Sequence, residues 1–361
     1  MSKSREVDVF MARIVSIASC APPHTLDAAT TEQLLRQQLS RWKQPPDFYL
    51  KILQNTQIQT RHTVFSPEEV INDHSFRERN ELYIRTCIEL GERCIQTALA
   101  NARLAPQDIS SFITVSCTGF MIPSVDAYLI NRLQMSPSVR RTPITELGCA
   151  AGAMGLSRAW EQLQAYPEAQ ILLLSVELPS LTFQPRDPRR SQVIASLIFA
   201  DGAASVILAR DGMRPSPRLL ASRTFTILGT VEDMGYQLDE NGLHIVLSPQ
   251  VPKYIKKELG GHIDALLHGH GVARDQIRWC AMHPGAPKLI ELAEEELHLT
   301  RHQLAASWTV LRRYGNTSSS SILLVLAEMM QNPPAEPGEL GLIMAFGPGV
   351  SGEIILARWE E

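Results

Sequence analysis

Two spacings of apolar residues alternate along the chain. "ARIVSIAS" (12–19), "SSFITVSC" (110–117), "AQILLLSVEL" and "GAASVILA" are short apolar runs rich in β-branched residues, and they predict strands. Between them, "ELYIRTCIELGERCIQTALANA", "SVDAYLINRL" and "CAAGAMGLSRAWEQLQA" repeat apolar residues every three to four positions and predict helices. The stretch from about residue 28 to 105 reads as helical throughout, closing before Pro106. Further on, "SRTFTILG", "GLHIVLS", "IRWCAMH", "ELGLIMAFG" and "GEIILARW" predict strands. "QVPKYIKKELGGHIDALLHGHG", "APKLIELAEEEL" and "NTSSSSILLVLAEMMQ" predict helices, and "QNPPAEPGE" a surface turn. Strands alternating with helices imply an α/β fold with buried sheets.

The pattern also repeats. A strand runs into Cys117, and 32 residues later a helix begins at Gly148-Cys149. A second strand runs into His283, and 33 residues later a helix begins at Gly315-Asn316. Each of those helices opens with small residues and is followed by an apolar strand. This internal duplication predicts two halves, 1–215 and 216–361, packed about a pseudo-twofold axis. Such packing brings Cys149, His283 and Asn316 together.

Composition narrows the class of protein. The chain has 361 residues, 44% of them apolar, enough to bury about three quarters of its unfolded surface. A net charge of −4 without a basic run speaks against nucleic acid or an anionic membrane as general partners. No apolar run approaches the roughly 20 residues of a membrane span. "VSIASC" imitates a lipoprotein cleavage site, but Arg13 splits the apolar run, and Glu6 and Asp8 offset Lys3 and Arg5. Six cysteines without a C-x-x-C pair read as reduced, cytoplasmic thiols. Cys87 and Cys94 share a helix face and read as core.

The residue types at the repeat points suit acyl-thioester chemistry. A cysteine at a helix N-terminus gains from partial positive charge and free amide donors, and a neighbouring imidazolium adds to that. These effects predict a thiolate at Cys149, held as an ion pair with His283. The Asn316 amide can donate to a developing oxyanion. Taken singly, each residue has a plainer reading: a core thiol, a strand-ending histidine, a helix cap. Their matched positions in the repeat favour the joint one. Three other patterns fail on context. "GPGVSG" (347–352) is followed by a strand rather than the helix a dinucleotide site needs. His268 and His270 have no third ligand close by, so no metal site is expected. "LGCAAGA" lacks the context of a papain-like cysteine.

"SCTGFMIPS", "ELGCAAGAMGLSRA", "FADGAAS", "HPGAPKLI", "RYGNTSSSS" and "AFGPGVSGE" together resemble the bacterial type III polyketide synthases of the chalcone synthase superfamily, from about residue 10 to the C-terminus. The resemblance implies a thiolase fold, with duplicated βαβαβαββ halves forming a five-layered αβαβα core, in a cytoplasmic homodimer. It implies that Cys149 accepts an acyl starter from coenzyme A. Malonyl-CoA then loses CO2 beside His283 and Asn316, and the enolate extends the chain before the polyketide cyclises to a pyrone, resorcinol or phloroglucinol type of product. Acyl-CoA and malonyl-CoA are the implied partners, with no metal or other cofactor.

By the same resemblance, Phe199 is a gatekeeper, and Ile245 stands where plant members often carry a second gatekeeper phenylalanine, which suggests an aliphatic starter. Cys117, Thr182 and Ser318 match cavity-lining positions. Phe346, Gly347, Pro348 and Gly349 are expected to form a loop in which glycine lets backbone approach substrate. Lys51 and Lys288 are expected to meet coenzyme A. Ile122 stands at the dimer interface before Pro123, whose preceding bond is cis in relatives. A ketoacyl synthase III on the same fold is the alternative enzyme. An inert thiolase-like scaffold is the alternative from another class.

Overall fold

The structure is a computed structural model that describes residues 12–212 and 215–361. Up to residue 212 the strands are β1 (Ala12–Cys20), β2 (His24–Asp27), β3 (Thr60–Thr63), β4 (Ser111–Val115), β5 (Arg140–Ile144), β6 (Ile171–Glu177) and β7 (Gly202–Ala209). The helices are α1 (Ala28–Arg41), α2 (Asp47–Asn55), α3 (Phe76–Ala102), α4 (Val125–Arg132), α5 (Ala151–Ala165) and α6 (Arg190–Ile198). From residue 215 come β8 (Ser216–Thr226), β9 (Met234–Asp239), β10 (Gly242–Leu247), β11 (Ile277–Met282), β12 (Leu340–Gly347) and β13 (Ser351–Glu360). With them come α7 (Val251–Gly269), α8 (Pro287–Leu297), α9 (Ala305–Tyr314) and α10 (Ser320–Gln331).

The main sheet runs β11-β12-β13-β8-β1-β7-β6-β4-β5. Its middle is a short join, Ala12 opposite Leu219 and Arg13 opposite Arg218. On either side of the join the same topology appears. The row β4-β6-β7-β1 pairs parallel, antiparallel, antiparallel, and so does β11-β12-β13-β8. The duplication read from the spacing is therefore present in the backbone. It is not complete: among the described residues β5 has no counterpart beyond β11. The segment there, "PKLIELAEEEL" and "AASWTVLRRY", has apolar residues three and four apart and folds as α8 and α9.

Five layers result. α3 covers the outer face of β1, β6 and β7, while α7 and α8 cover the outer face of β8, β11 and β13. α5 and α10 lie between the two halves of the main sheet and touch both. A helix buried on all sides must be apolar on all sides. "SSILLVLAEMM" in α10 meets that need, as do the small residues of α5, whose positions 151 to 157 are all buried. Leu156, Leu173, Val206, Leu324, Ile343 and Ile355 meet in this central layer. α3 begins at a capping box, with Ser75 and Glu78 each accepting from the other's backbone amide, and Cys87 and Cys94 are buried in it as expected.

Two sequence expectations need adjusting. The stretch from 28 to 105 is not helical throughout, because it contains β3, which pairs with β2 just ahead of it. α6 and the exposed β5 carry little apolar periodicity and were not predicted. The lipoprotein-like stretch is β1, paired inside the sheet, while residues 3 to 8 used against a signal lie outside the described residues. No helix of the described residues is long and apolar enough to cross a membrane.

Candidate active site

Cys149 sits in a 3-10 turn, Gly148–Ala150, that leads from β5 into α5. The small residues around it have specific neighbours. Gly148 has φ +51°, and a Cβ there would fall 2.4 Å from the Pro348 ring. A Cβ on Gly347 would lie 2.6 Å from the Leu147 carbonyl oxygen. One turn on, a Cβ on Gly152 would lie 2.1 Å from the carbonyl oxygen of Ser319, where α5 passes the start of α10. Gly347 of "AFGPG" thus lets the β12–β13 hairpin press on the cysteine's turn. Phe346 lines the cavity in front of Cys149, whereas Gly347 and Pro348 pack against the cysteine's turn and Gly349, at φ +62°, has open space at its Cβ position.

His283 ends β11, its amide donating to the Met344 carbonyl at 2.8 Å. Its ring is buried, and Nδ1 has no hydrogen-bond partner. Asn316 is not in a helix, contrary to expectation. Residues 315 to 319 form a turn, and α10 begins at Ser320. The backbone of Asn316 instead pairs with that of Phe199. Its Nδ2 donates to the Gly285 carbonyl at 3.3 Å, and its Oδ1 accepts from the Ser318 amide at 2.8 Å. Cys149, His283, Asn316, Phe199 and Phe346 line one cavity of about 450 Å³, within the range of small-molecule sites.

The remaining expected residues scatter around this cavity. The Cys149 thiol donates to Ser318 Oγ at 3.6 Å, and Cys117 Sγ lies 3.8 Å from the same oxygen, so Ser318 and Cys117 stand behind the cysteine. Thr182 and Ile245 line a neighbouring cavity of about 90 Å³, which Phe199 also borders. Lys288 lines the main cavity, 3.4 Å from Glu291. Lys51 is exposed on α2 and lines neither. Ile122 is fully exposed, and its bond to Pro123 is cis.

Two residues escaped the sequence reading. Glu177 ends β6, apolar but for it and Ser175, and is completely buried. It accepts from the Cys117 amide at 3.1 Å, from Thr118 Oγ1 at 3.0 Å and from Ser319 Oγ. A charged residue closing an apolar run was its visible signal. Arg190, in "PRRSQ", lines the main cavity with its guanidinium 4.4 Å from the centre of the Phe48 ring.

Burial governs the electrostatics. It pushes the Cys149 thiol up to about 12, with Glu177 adding to the rise, against smaller lowering by Ser318 and Asn316. It pushes His283 down to about 3. Glu177 is raised by burial as well. Burial thus works against the expected thiolate–imidazolium pair, favouring the neutral thiol and the neutral imidazole. Desolvation of two enclosed groups outweighs what the helix start and its hydroxyl and amide donors return. Among the described residues no group of three His, Cys, Asp or Glu is placed to hold a metal ion.

Comparison with known proteins gives the chemistry of this arrangement a family. Residues 2–212 match the chalcone and stilbene synthase N-terminal domain, and residues 219–359 match the C-terminal domain. A putative chalcone synthase of Bacillus subtilis is 31% identical, covering 97% of this chain and 100% of the relative. The 1,3,6,8-tetrahydroxynaphthalene synthase of Streptomyces coelicolor is 32% identical over 97% of this chain and 93% of its own. The crystal structure of that synthase, a bacterial type III polyketide synthase, superposes with a TM-score of 0.92 at 31% identity, covering 97% and 99% of the two chains. An alpha-pyrone synthesis polyketide synthase-like protein of Mycobacterium tuberculosis is 30% identical over 85% of this chain and 81% of its own. The chain belongs to the chalcone and stilbene synthase family: it is a type III polyketide synthase of thiolase fold, an acyltransferase that extends a CoA-bound acyl group by decarboxylative condensation with malonyl-CoA and cyclises the product.

Proposed function

We propose that Cys149 carries the growing acyl chain and that His283 and Asn316 activate the thioesters. The carrying observation is that all three line one apolar cavity, brought there from a turn before α5, the end of β11 and a turn before α10. The Cys149 sulfur attacks the carbonyl carbon of the starter thioester. Its proton passes to His283 as the bond forms, and the departing CoA sulfur takes that proton away. A malonyl-CoA then sits with its thioester oxygen toward Asn316 Nδ2 and the His283 ring. Loss of CO2 leaves an electron pair on carbon and negative charge on that oxygen, which the two donors stabilise in a site without bulk water. The carbon attacks the acyl-cysteine, the Cys149 sulfur leaves, and the lengthened chain rests on coenzyme A.

In this reading coenzyme A thioesters suffice and no further cofactor takes part. Arg190 and Lys288 receive the phosphates at the cavity rim. The enzyme works as a homodimer: Ile122 is wholly exposed and Phe120 nearly half exposed beside it, an apolar pair that a second subunit would cover. A cytoplasmic location accords with six free cysteines. The test is incubation with malonyl-CoA and an acyl-CoA, with mass spectrometry of protein and products. An acyl adduct on Cys149, release of CO2 and products extended two carbons at a time are expected. Turnover only when malonyl units arrive on a carrier protein would overturn the CoA-dependent reading.

A further inference from the structure

His244, buried in β10, stands between two carboxylates. Its Nε2 is 2.9 Å from Asp239 Oδ1, at the end of β9, and its Nδ1 is 3.0 Å from Asp187 Oδ2, in the loop that leads to α6. The same Nδ1 is 2.8 Å from Arg189 Nη2. The two contacts of Nδ1 exclude each other. A lone pair there accepts from the guanidinium, whereas a proton there donates to Asp187 and meets the N–H of Arg189 head on. Arg189 is half exposed and also holds Asp187 through Nε at 2.9 Å, so it can turn away from the ring. Against the pull of burial, hydrogen bonds from Arg189 and His244 keep Asp187 below the usual carboxylate range. The Asn241 amide, and after it His244, do the same for Asp239. The other charged groups around the ring are engaged elsewhere. From α3, Arg79 donates to the Phe183 and Asn241 carbonyls, and Arg186 of the loop pairs with Asp73. Arg190 of α6 faces the Phe48 ring, and Glu240 is exposed at the hairpin turn.

The cluster lies where two walls of the catalytic cavity begin. Arg189 is followed by Arg190 and Ser191, the first residues of α6, and β10 runs on from His244 to Leu247 and Ser248; all four of these line the cavity. Uncharged bonds, from Gln184 to the Leu243 carbonyl and from Gln192 to the Ile245 carbonyl, join the same walls at any pH. With the ring neutral, two carboxylates and one guanidinium leave a negative charge beside Arg190, which an imidazolium cancels. Resting on the synthase reading above, in which Arg190 receives coenzyme A phosphates, we propose that His244 is a positioning residue for the CoA thioester. Its proton sets where Arg189 points and whether a net negative charge lies beside the entry of the phosphates. Protonated His244 favours the anionic nucleotide end of the substrate, and neutral His244 opposes it.

The test compares KM for an acyl-CoA starter with KM for the same acyl group on N-acetylcysteamine, which lacks the nucleotide phosphates. It runs at low ionic strength across the range in which histidines change charge, roughly pH 5 to 8. As pH rises, the ratio of the two KM values should rise about twofold or more in the wild type relative to His244→Gln, which has no proton to lose. That is the effect of a unit charge at roughly 10 Å in water, and dividing by the variant removes the titration of the phosphates themselves. Arg189→Gln removes the cation that competes for Nδ1 and should move the step to higher pH. Its side chain is half exposed, so this variant decides the matter should His244→Gln not fold. Equal pH profiles in the wild type and His244→Gln, no displacement in Arg189→Gln, or a step of equal size for the truncated thioester would each overturn the role of His244 while leaving the synthase intact. Failure of the wild type with every acyl-CoA would overturn both.

Discussion

Asn316 and Phe199 are joined through their backbones. The Asn316 amide donates to the Ile198 carbonyl at 3.0 Å, and its own carbonyl accepts from the Ala200 amide at 2.9 Å. This pairing sews the turn that precedes α10 to the end of α6, so one proposed catalytic group and Phe199, the expected gatekeeper, share a mount. The Asn316 side chain also accepts from the Ser318 amide, where Ser318 sits at φ +51°. Asn316→Asp keeps that acceptor and loses the amide donor. It should fold normally and lose about 10²–10³ of malonyl-CoA decarboxylation. Asn316→Ala loses both and should also melt earlier, as thermal unfolding followed by circular dichroism would show.

Cys149→Ala removes the proposed acyl carrier and leaves the thioester-polarising groups. Condensation should fall by at least about a thousandfold, and intact mass should show no adduct after incubation with acyl-CoA. Residual CO2 release from malonyl-CoA is expected, since His283 and Asn316 remain. An acyl adduct on the variant would place the nucleophile elsewhere, with Cys117 the first residue to examine.

The pH dependence of alkylation reports the resting charge of Cys149. Burial raises its thiol to about 12, so the thiolate fraction grows with alkalinity throughout the range below that value. Iodoacetamide labelling of Cys149, followed by peptide mapping, should therefore rise roughly tenfold per pH unit from pH 7 to 10. Glu177 contributes to the rise, and Glu177→Gln should shift the profile toward lower pH. A rate already level at mildly acidic pH would mean that a thiolate–imidazolium pair is present at rest.

Gly152 allows α5 to cross the start of α10, and the atom that a Cβ would strike is backbone, which cannot rotate away. Gly152→Ala should destabilise by about 1–3 kcal/mol. The unfolding midpoint should drop, and the acyl-transfer rate should fall with it because the same crossing positions Cys149 against Ser318.

Ile122→Asp places a charge on the apolar pair with Phe120. Sedimentation should show the wild type as a dimer and the variant shifted toward monomer. A monomeric wild type would remove the interface role of Ile122.

Much of this protein could be read directly from its residues. The spacing of apolar positions predicts the central strands and the two buried helices, because elements enclosed on all sides must be apolar throughout. The matched positions of Cys149, His283 and Asn316 in a repeat suffice to predict that they meet. Tertiary structure decided the rest. Asn316 is in a turn because its backbone pairs with Phe199, a partner that no local pattern reveals. Thr182 and Ile245 line the smaller cavity instead of the main one because α6 lies between, and α6 itself has weak periodicity. The push of burial on Cys149 and His283 was likewise hidden: a helix start is visible in a sequence, but the loss of water around a group is the sum of everything packed against it from distant parts of the chain.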